Sequence, residues 1–439
     1  MSYAAAIDQL NAMASELYTR PGEPRRKFSL SEIGVLLGAL GNPHRRLRSV
    51  LIAGTNGKGS TASTLSSILT TSGVCTGLYT SPHLARVNER IHIGDEEIAD
   101  EVFGGLYFRV HDAAERLLRE AALPQLPSFF EMLTAMALVY FAQAEVELAV
   151  LEVGMGGRLD ATNIVDPLLS VITDISLDHT EWLGSTIAAI TREKAGILRR
   201  GGTLVTLLQH PDANRVLGEA AAELGVRVVN AAIYMPPGRA GAFGPYAVEA
   251  LGETVEVNSP LSGAHQQRNV ALAIATAVEL AHGYPVTPAA IAQGIRRTHW
   301  PGRLEHFESN GVEWILDVAH NPAGAWALRA GLGDLQATSP RTLIFSCLRD
   351  KPVVEMAQIL FPLFEQVILA PIQSARAAAI ADMEAAARAT GTPALSAASV
   401  RDALQWAGAR GQGGAVVVSG SVYLVGEARS LLLGGGLKE

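Results

Sequence analysis

The 439-residue chain has only two cysteines, Cys75 and Cys347. Two thiols cannot staple a fold, and such sparing use of cysteine points to a reducing cytosol. No apolar run approaches the about 18 residues needed to cross a bilayer. The opening MSYAAAIDQLNAMASEL has no basic segment ahead of a long apolar stretch, so neither a membrane span nor a secretory leader is expected. Positive charge is also short: 35 Lys and Arg stand against 43 Asp and Glu, a net charge of −8. That balance, without basic–aromatic clusters, argues against nucleic acid as a partner. Lysine is the rarer cation, limited to Lys27, Lys58, Lys194, Lys351 and Lys438. Lysine is a compact charge that can lose its proton and react, whereas arginine stays protonated. Where arginine is the habitual cation, a lysine deserves separate scrutiny.

What is present describes a packed α/β protein. Hydrophobic residues make up 48% and charged residues 18%. The length exceeds one ordinary core, so two domains are expected, 1–297 and 298–439. SLSEIGVLLGALG reads as a helix opened by a capping box, Ser29 to Glu32, and stopped at Gly41. SVLIAG reads as a buried strand, followed by a glycine turn and a helical STASTLSSILTTSG. ELAVLEVG and LLSVITDIS read as adjacent buried strands of a parallel sheet, TIAAITREKAGIL and HQQRNVALAIATAVELA as helices. Residues 231–260 give no firm pattern. Beyond THWPGR a second strand series appears: VEWILDVAH, RTLIFSCL, QVILAPI and AVVVSGSVYLVG. No internal repeat is visible.

Strand, glycine turn, helix is the setting of a phosphate loop. AGTNGKGS departs from the common G-x-x-x-x-G-K-[ST] spacing, because Ile52 replaces the first glycine and Gly59 separates Lys58 from Ser60. The chemistry still fits. Glycines let amides face phosphate oxygens, a helix start adds its positive end, and Lys58 supplies a cation. Glu152 closes an apolar strand at the edge where open α/β sheets bind ligands, a costly place for a carboxylate unless it meets a cation. Asp178 and His179 follow the next strand to the same edge, and Ser81 follows another. Mg²⁺ favours oxygen ligands, so a histidine contact would be unusual. On spacing alone Lys194 reads as a solvated helix lysine. Asp317, His320 and Asn321 end a strand of the second half, where a polar turn and a clamp on a second substrate are both compatible with the pattern; Arg303 stands at the boundary.

Nine segments occur in order: AGTNGKGS, SPHLARVNERI, FFEMLT, EVGMGGRLDATN, LDHTEWLGSTIAAITREKAGI, SGAHQQRN, WPGRLE, DVAHNP and SGSVYLVGE. Together they resemble the folylpolyglutamate synthase/dihydrofolate synthase family of the Mur ligase superfamily, over roughly residues 28–427. The resemblance implies an ATP-dependent carboxylate–amine ligase, with an N-terminal phosphate-loop domain on a mainly parallel sheet and a C-terminal Rossmann-like domain. In that family the GTNGKG[ST] spacing is the normal variant. The resemblance places ATP against Thr55, Asn56, Gly57, Lys58, Gly59, Ser60, Asn269, Arg303 and Asp317. It assigns Mg²⁺ to Ser81, Glu152 and His179, and makes Lys194 a carboxylated lysine whose carbamate is a further ligand, reversing its reading from spacing. Lys58, Lys194 and His320 are the implied catalytic residues. Ser128, Phe129, Phe130, Glu131, Leu159, Asp160 and Ala161 would meet the folate or pteroate, with residues 29–31 nearby. The implied substrates are dihydropteroate, reduced folates, L-glutamate and ATP; apart from the resemblance, a cytoplasmic monomer is expected. Val318 departs from the family's usual glycine in DGAHN. A peptidoglycan Mur ligase would carry a further domain ahead of the loop, where this chain has about fifty residues. A phosphate-loop ATPase that drives motion is the alternative of a different class.

Overall fold

The computed structural model describes residues 2–14, 29–238, 244–334, 342–410 and 414–434. Lys27 and Lys438 lie outside these. Eight strands form the first sheet: β1 (Ser49–Ala53), β2 (Thr76–Tyr79), β3 (Ile91–Ile93), β4 (Glu96–Glu97), β5 (Leu148–Glu152), β6 (Leu169–Ile172), β7 (Thr203–Thr206) and β8 (Arg227–Asn230). Their spatial order is β4-β3-β2-β5-β1-β6-β7-β8. All neighbours run parallel except the short β2–β3–β4 edge, which is antiparallel. A central parallel strand is covered on both faces, which is why β1 is apolar without alternation. Val50 and Ile52 pack with Leu65, Ile68 and Ile274 on one face. Leu51 and Ala53 pack with Met132, Leu133 and Ile190 on the other.

Residues 231–260, unreadable from pattern, hold a short 3₁₀ turn and a two-stranded antiparallel hairpin, β9 (Tyr246–Ala250) and β10 (Glu253–Val257). The helix Pro288–Arg297 packs on the helix Lys58–Thr71, its Gly294 so close that a Cβ would stand 2.4 Å from Ile68 Cα. After residues 298–304, which carry no regular element, comes a six-stranded sheet. Its strands are β11 (Glu305–Ser309), β12 (Val312–Asp317), β13 (Thr342–Phe345), β14 (Gln366–Leu369), β15 (Ala394–Ser396) and β16 (Ala415–Ser419), in the order β11-β12-β16-β13-β14-β15. Only β11 is antiparallel to its neighbour. Helices cover both faces, giving two apolar layers around Phe345 and Phe361 on one side and Trp314 and Leu424 on the other.

Three expectations change. AVVVSGSVYLVG is not one strand: β16 ends at Ser419, Ser421 caps a helix with its hydroxyl on the Tyr423 amide, and Val422–Leu433 is helical. The helix Leu30–Ala39 starts without a capping box, because Ser29 accepts from the Ser31 amide rather than from Glu32. The strands bearing Glu152 and Asp178–His179 are not neighbours, since β1 lies between β5 and β6. No described helix is long and apolar enough to cross a membrane.

Candidate active site

The turn after β1 is fixed from the side. The Thr55 and Asn56 amides donate to Asp174 O beyond β6 (2.8 and 3.2 Å), and the Thr55 hydroxyl bridges the Ser176 backbone (3.1 Å to each of O and N). Thr173 Oγ1 donates to Asn56 O at 2.7 Å. Gly57 then turns into the helix Lys58–Thr71 with φ 88°, left-handed backbone that favours glycine. A Cβ there would also stand 2.1 Å from Asn269 Oδ1. Asn269 is buried on the helix Ala264–Leu280 and donates to Gln266 Oε1 (2.9 Å). The amides of Gly57 to Ser60 have no carbonyl one turn back, so they form a concave row of donors at a positive helix end. Of the loop residues expected to hold phosphate, Thr55 and Asn56 have their own amides committed to Asp174.

Lys58 is the charge around which the other chemistry-bearing groups gather. Its Nζ donates to Thr55 O (3.2 Å), and its field acts on Glu152, His179 and Lys194 alike. Glu152, at the end of β5, is 4% exposed. Burial pushes its carboxyl pKa up, against Lys58, the Ser81 amide, Arg303 and Arg90. That amide reaches Oε2 at 3.0 Å, leaving Oε1 without a protein hydrogen bond among the described residues. The Ser81–Pro82 peptide is cis. Lys194 is not a solvated helix lysine. It is 4% exposed, because the helix Ile187–Ala195 packs its inner face on the loop, and its Nζ donates to Gly54 O at 2.6 Å. Burial and then Lys58 bring it down to about 7. Such an amine is about half neutral at pH 7, and the neutral form is the one able to add CO₂. His179 is held down to about 4 by burial, with Asp178 opposing and Lys351 and Lys58 assisting, so its ring is neutral and can act as a ligand. Lone oxygens on Glu152, the Ser81 hydroxyl and a neutral imidazole make a donor set compatible with Mg²⁺, with oxygen predominating.

The second half closes on Asp178, which pattern reading mentioned only beside His179. Lys351 Nζ reaches its Oδ1 at 2.6 Å, Asn321 Nδ2 its Oδ2 at 3.1 Å, and His320 Nε2 stands 3.6 Å from Oδ2. Burial alone would raise this carboxyl, but His320, His179 and Lys351 outweigh it and hold it well below the ordinary range. Asn321 also donates to Asn56 Oδ1 (3.0 Å), which joins the second sheet to the loop. Lys351 was visible only as a rare lysine; that rarity was its one signal. Asp174 gave no sequence signal, yet it pairs with Arg268 (2.8 Å at Nε). Asp317 is buried with Oδ1 on the Ala319 amide (2.8 Å) and Oδ2 on the Leu304 amide (2.9 Å). It thereby shapes the turn that carries Arg303, whose neighbours in charge are Asp317 and Glu152, one from each half. Val318 is buried in the second core and its amide bonds Gly302 O at 3.0 Å.

The expected acid-substrate residues fall into two groups. Ser128 and Glu131 form a capping box at the start of the helix Phe129–Gln143, with Glu131 Oε2 accepting from Ser128 N and Oγ (2.8 and 2.7 Å). Asp160 accepts from the Met155 and Thr162 amides (2.9 and 3.0 Å), and burial raises its pKa. These groups shape backbone. Phe129 and Phe130 are half-buried and Leu159 is exposed, while Ala161 is buried. The Phe130 ring lies against Gly154 and beside Tyr79 (centroids 5.9 Å).

A phosphate loop on a parallel sheet, closed by a second α/β sheet over a buried lysine and carboxylate, is the architecture of the Mur ligases, and the family models agree. The Mur ligase middle domain matches residues 127–277, and the Mur ligase glutamate ligase domain matches residues 302–422. The folylpolyglutamate synthase of Lacticaseibacillus casei is 37% identical over 99% of this chain and 100% of its own length. The dihydrofolate synthase/folylpolyglutamate synthase of Bacillus subtilis is 33% identical, covering 81% of this chain and 84% of its own. The Mycobacterium tuberculosis folylpolyglutamate synthase complexed with ADP and AMPPCP superposes with a TM-score of 0.89 at 33% identity, covering 98% of this chain and 99% of that one. An FPGS–AMPPCP–folate complex superposes at 0.81, also 33% identical, over 99% of this chain and 100% of that one. The chain belongs to the folylpolyglutamate synthase/dihydrofolate synthase family, whose members are ATP-dependent acid–amino-acid ligases.

Proposed function

We propose that this protein uses ATP to join L-glutamate to the carboxylate of dihydropteroate, to the γ-carboxylate of a reduced folate, or to both. The observation that carries the reading is the grouping of Glu152, His179 and buried Lys194 around the loop cation Lys58. A carboxylate is a poor electrophile because oxide is a poor leaving group; transfer of the γ-phosphoryl group converts it to an acyl phosphate. One carboxylate oxygen attacks the γ-phosphorus and ADP leaves. The glutamate amine then attacks the acyl carbon, forming the amide and releasing phosphate and a proton.

In this reading the amides of Gly57 to Ser60 and Lys58 hold the phosphates and neutralise charge that grows during transfer. Asn269, Arg303 and Asp317 complete the nucleotide site from both halves. Ser81, Glu152, His179 and the carbamate of Lys194 would hold Mg²⁺, which when bound would neutralise phosphate charge. His320 orients the incoming glutamate. Phe129, Phe130 and Leu159 offer the surface for the acid. The domains divide at 297/298, the protein acts as a monomer, and its free thiols suit the cytoplasm. The test is ATP turnover with dihydropteroate, then with tetrahydrofolate, each with and without glutamate. Strict dependence on both acid and glutamate is expected; turnover indifferent to glutamate would favour a phosphate-loop ATPase instead.

A further inference from the structure

Three residues beyond Ser81, the chain of the first half enters the second at Leu84. The half-buried Leu84 side chain packs against the apolar layer that holds Trp314, Leu316, Val318 and Leu424. A Cβ on Gly302, whose φ is 71°, would stand 3.2 Å from both Leu84 Cδ1 and Val318 Cγ1, so the bare turn there makes room for the leucine. Val318, which departs from the family's usual glycine, supplies part of the wall. The Leu84 backbone comes as close to the helix Val422–Leu433. A Cβ on Gly426 would lie 1.9 Å from Leu84 O and 2.6 Å from Leu84 C. Inside a helix glycine is a poor choice on propensity. Here the close approach of Leu84 accounts for it.

The stretch between Ser81 and Leu84 is tied at both ends. The Glu89 carboxylate accepts from the Leu84, Ala85 and Arg86 amides at 2.6, 2.9 and 2.8 Å. At the other end the Thr80 amide donates to Arg90 O (3.0 Å) and the Ser81 amide to Glu152 Oε2 (3.0 Å). A turn tied in this way passes a displacement of Leu84 on to Ser81. The same relation holds across the site. Asp178, gripped by Lys351 and Asn321 of the second half, directly precedes His179. Each loop of the first half that would bring Ser81 or His179 to a metal is therefore held by the second half, within three residues of that ligand.

We propose that Leu84 and Gly426 are positioning residues for the metal: the seating of Leu84 in the second half sets Ser81 beside Glu152. This rests on the metal assignment made above and adds to it what holds that site in shape. By linkage, a bound metal and a seated Leu84 favour each other. Leu84→Ala empties the seat. Gly426→Ala puts a methyl group against Leu84 O yet suits the helix it stands in, so its effect is not one of local folding. Electron paramagnetic resonance of Mn²⁺, which takes the same oxygen-rich ligands as Mg²⁺, reads binding without turnover when AMPPCP replaces ATP. Both variants should bind Mn²⁺ about tenfold or more weakly in the presence of AMPPCP, while AMPPCP affinity without metal changes less than about twofold. Leu84→Met, which keeps the volume, should stay within about threefold of wild type. A purely structural contact would lower the unfolding midpoint and leave Mn²⁺ affinity alone; that result in the folded variants would overturn the proposal. Should Leu84→Ala fail to fold, Gly426→Ala decides alone. A wild type that binds AMPPCP but no Mn²⁺ would remove the metal assignment and this proposal together. Turnover indifferent to glutamate would instead remove the ligase reading and leave the Mn²⁺ result standing.

Discussion

At the scale of single residues, Lys58 and Lys194 differ in what they owe to their surroundings. Lys58→Ala should leave the far-UV circular dichroism intact and lower ligation by about two to three orders of magnitude or more, read as the rate of glutamate-dependent ADP release. Substantial residual ligation would count against the loop. Lys194→Ala should cripple activity, and added bicarbonate should not rescue it; a bare amine in a high-resolution map of the active, metal-bound enzyme would dispose of the carbamate. The uncarboxylated lysine also has a stability signature. Its folded pKa of about 7 lies below the ordinary 10.5. Between those values the unfolded chain binds the extra proton, so the burden of burying the amine is full below about pH 7 and fades as pH rises toward 10.5. In CO₂-free, metal-free buffer, Lys194→Met should be more stable than wild type near pH 6, by about 5 kcal/mol at most, and the gap should nearly close by pH 10. Urea unfolding at several pH values measures it; a gap independent of pH would show that the amine is not buried as a charge.

Among the elements, the start of the helix Lys58–Thr71 is the least forgiving. Gly57→Ala demands a left-handed backbone from a residue with a Cβ and drives that Cβ onto Asn269. It should raise KM for ATP about tenfold or more and cost at least about 1 kcal/mol of stability. Asn269→Ala in the same chain should relieve part of the stability loss, which denaturant titration would register; no relief would mean that the clash is absorbed elsewhere. Much at this scale was legible in the chain. Largely apolar runs at 49–53, 148–152 and 342–345 read as strands buried on both faces, and Gly-rich turns marked the ends of the first two. The last helix was hidden because SVYLVG carries β-branched and aromatic residues, and its cap, Ser421, is worth more than propensity. Lys194 was misread from spacing because local pattern cannot show which loop, far along the chain, will lie against a helix face.

For the whole molecule, the two halves meet on Asp178. Its pair with Lys351 is buried on both sides, so removing one partner strands the other. Lys351→Met should destabilise the protein by about 3–5 kcal/mol, and Asp178→Asn added to it should recover a good part of that loss. A double variant whose losses simply add would argue against a direct pair. This meeting could not be read from the chain: Asp178 and Lys351 are far apart in sequence, and only the crossing of two sheets brings them to 2.6 Å. The resemblance supplied the family and a list of positions, whereas the commitments of Asp317, Glu131 and Asp160 to backbone amides came only with the fold.

The two loop amides tied to Asp174 O carry a kinetic corollary. A turn already cast in its working shape has little disorder left to surrender when a nucleotide arrives. Capture of ATP should then be paced by how often the halves part around Asp178, and dissociation should slow or quicken with the strength of that clasp.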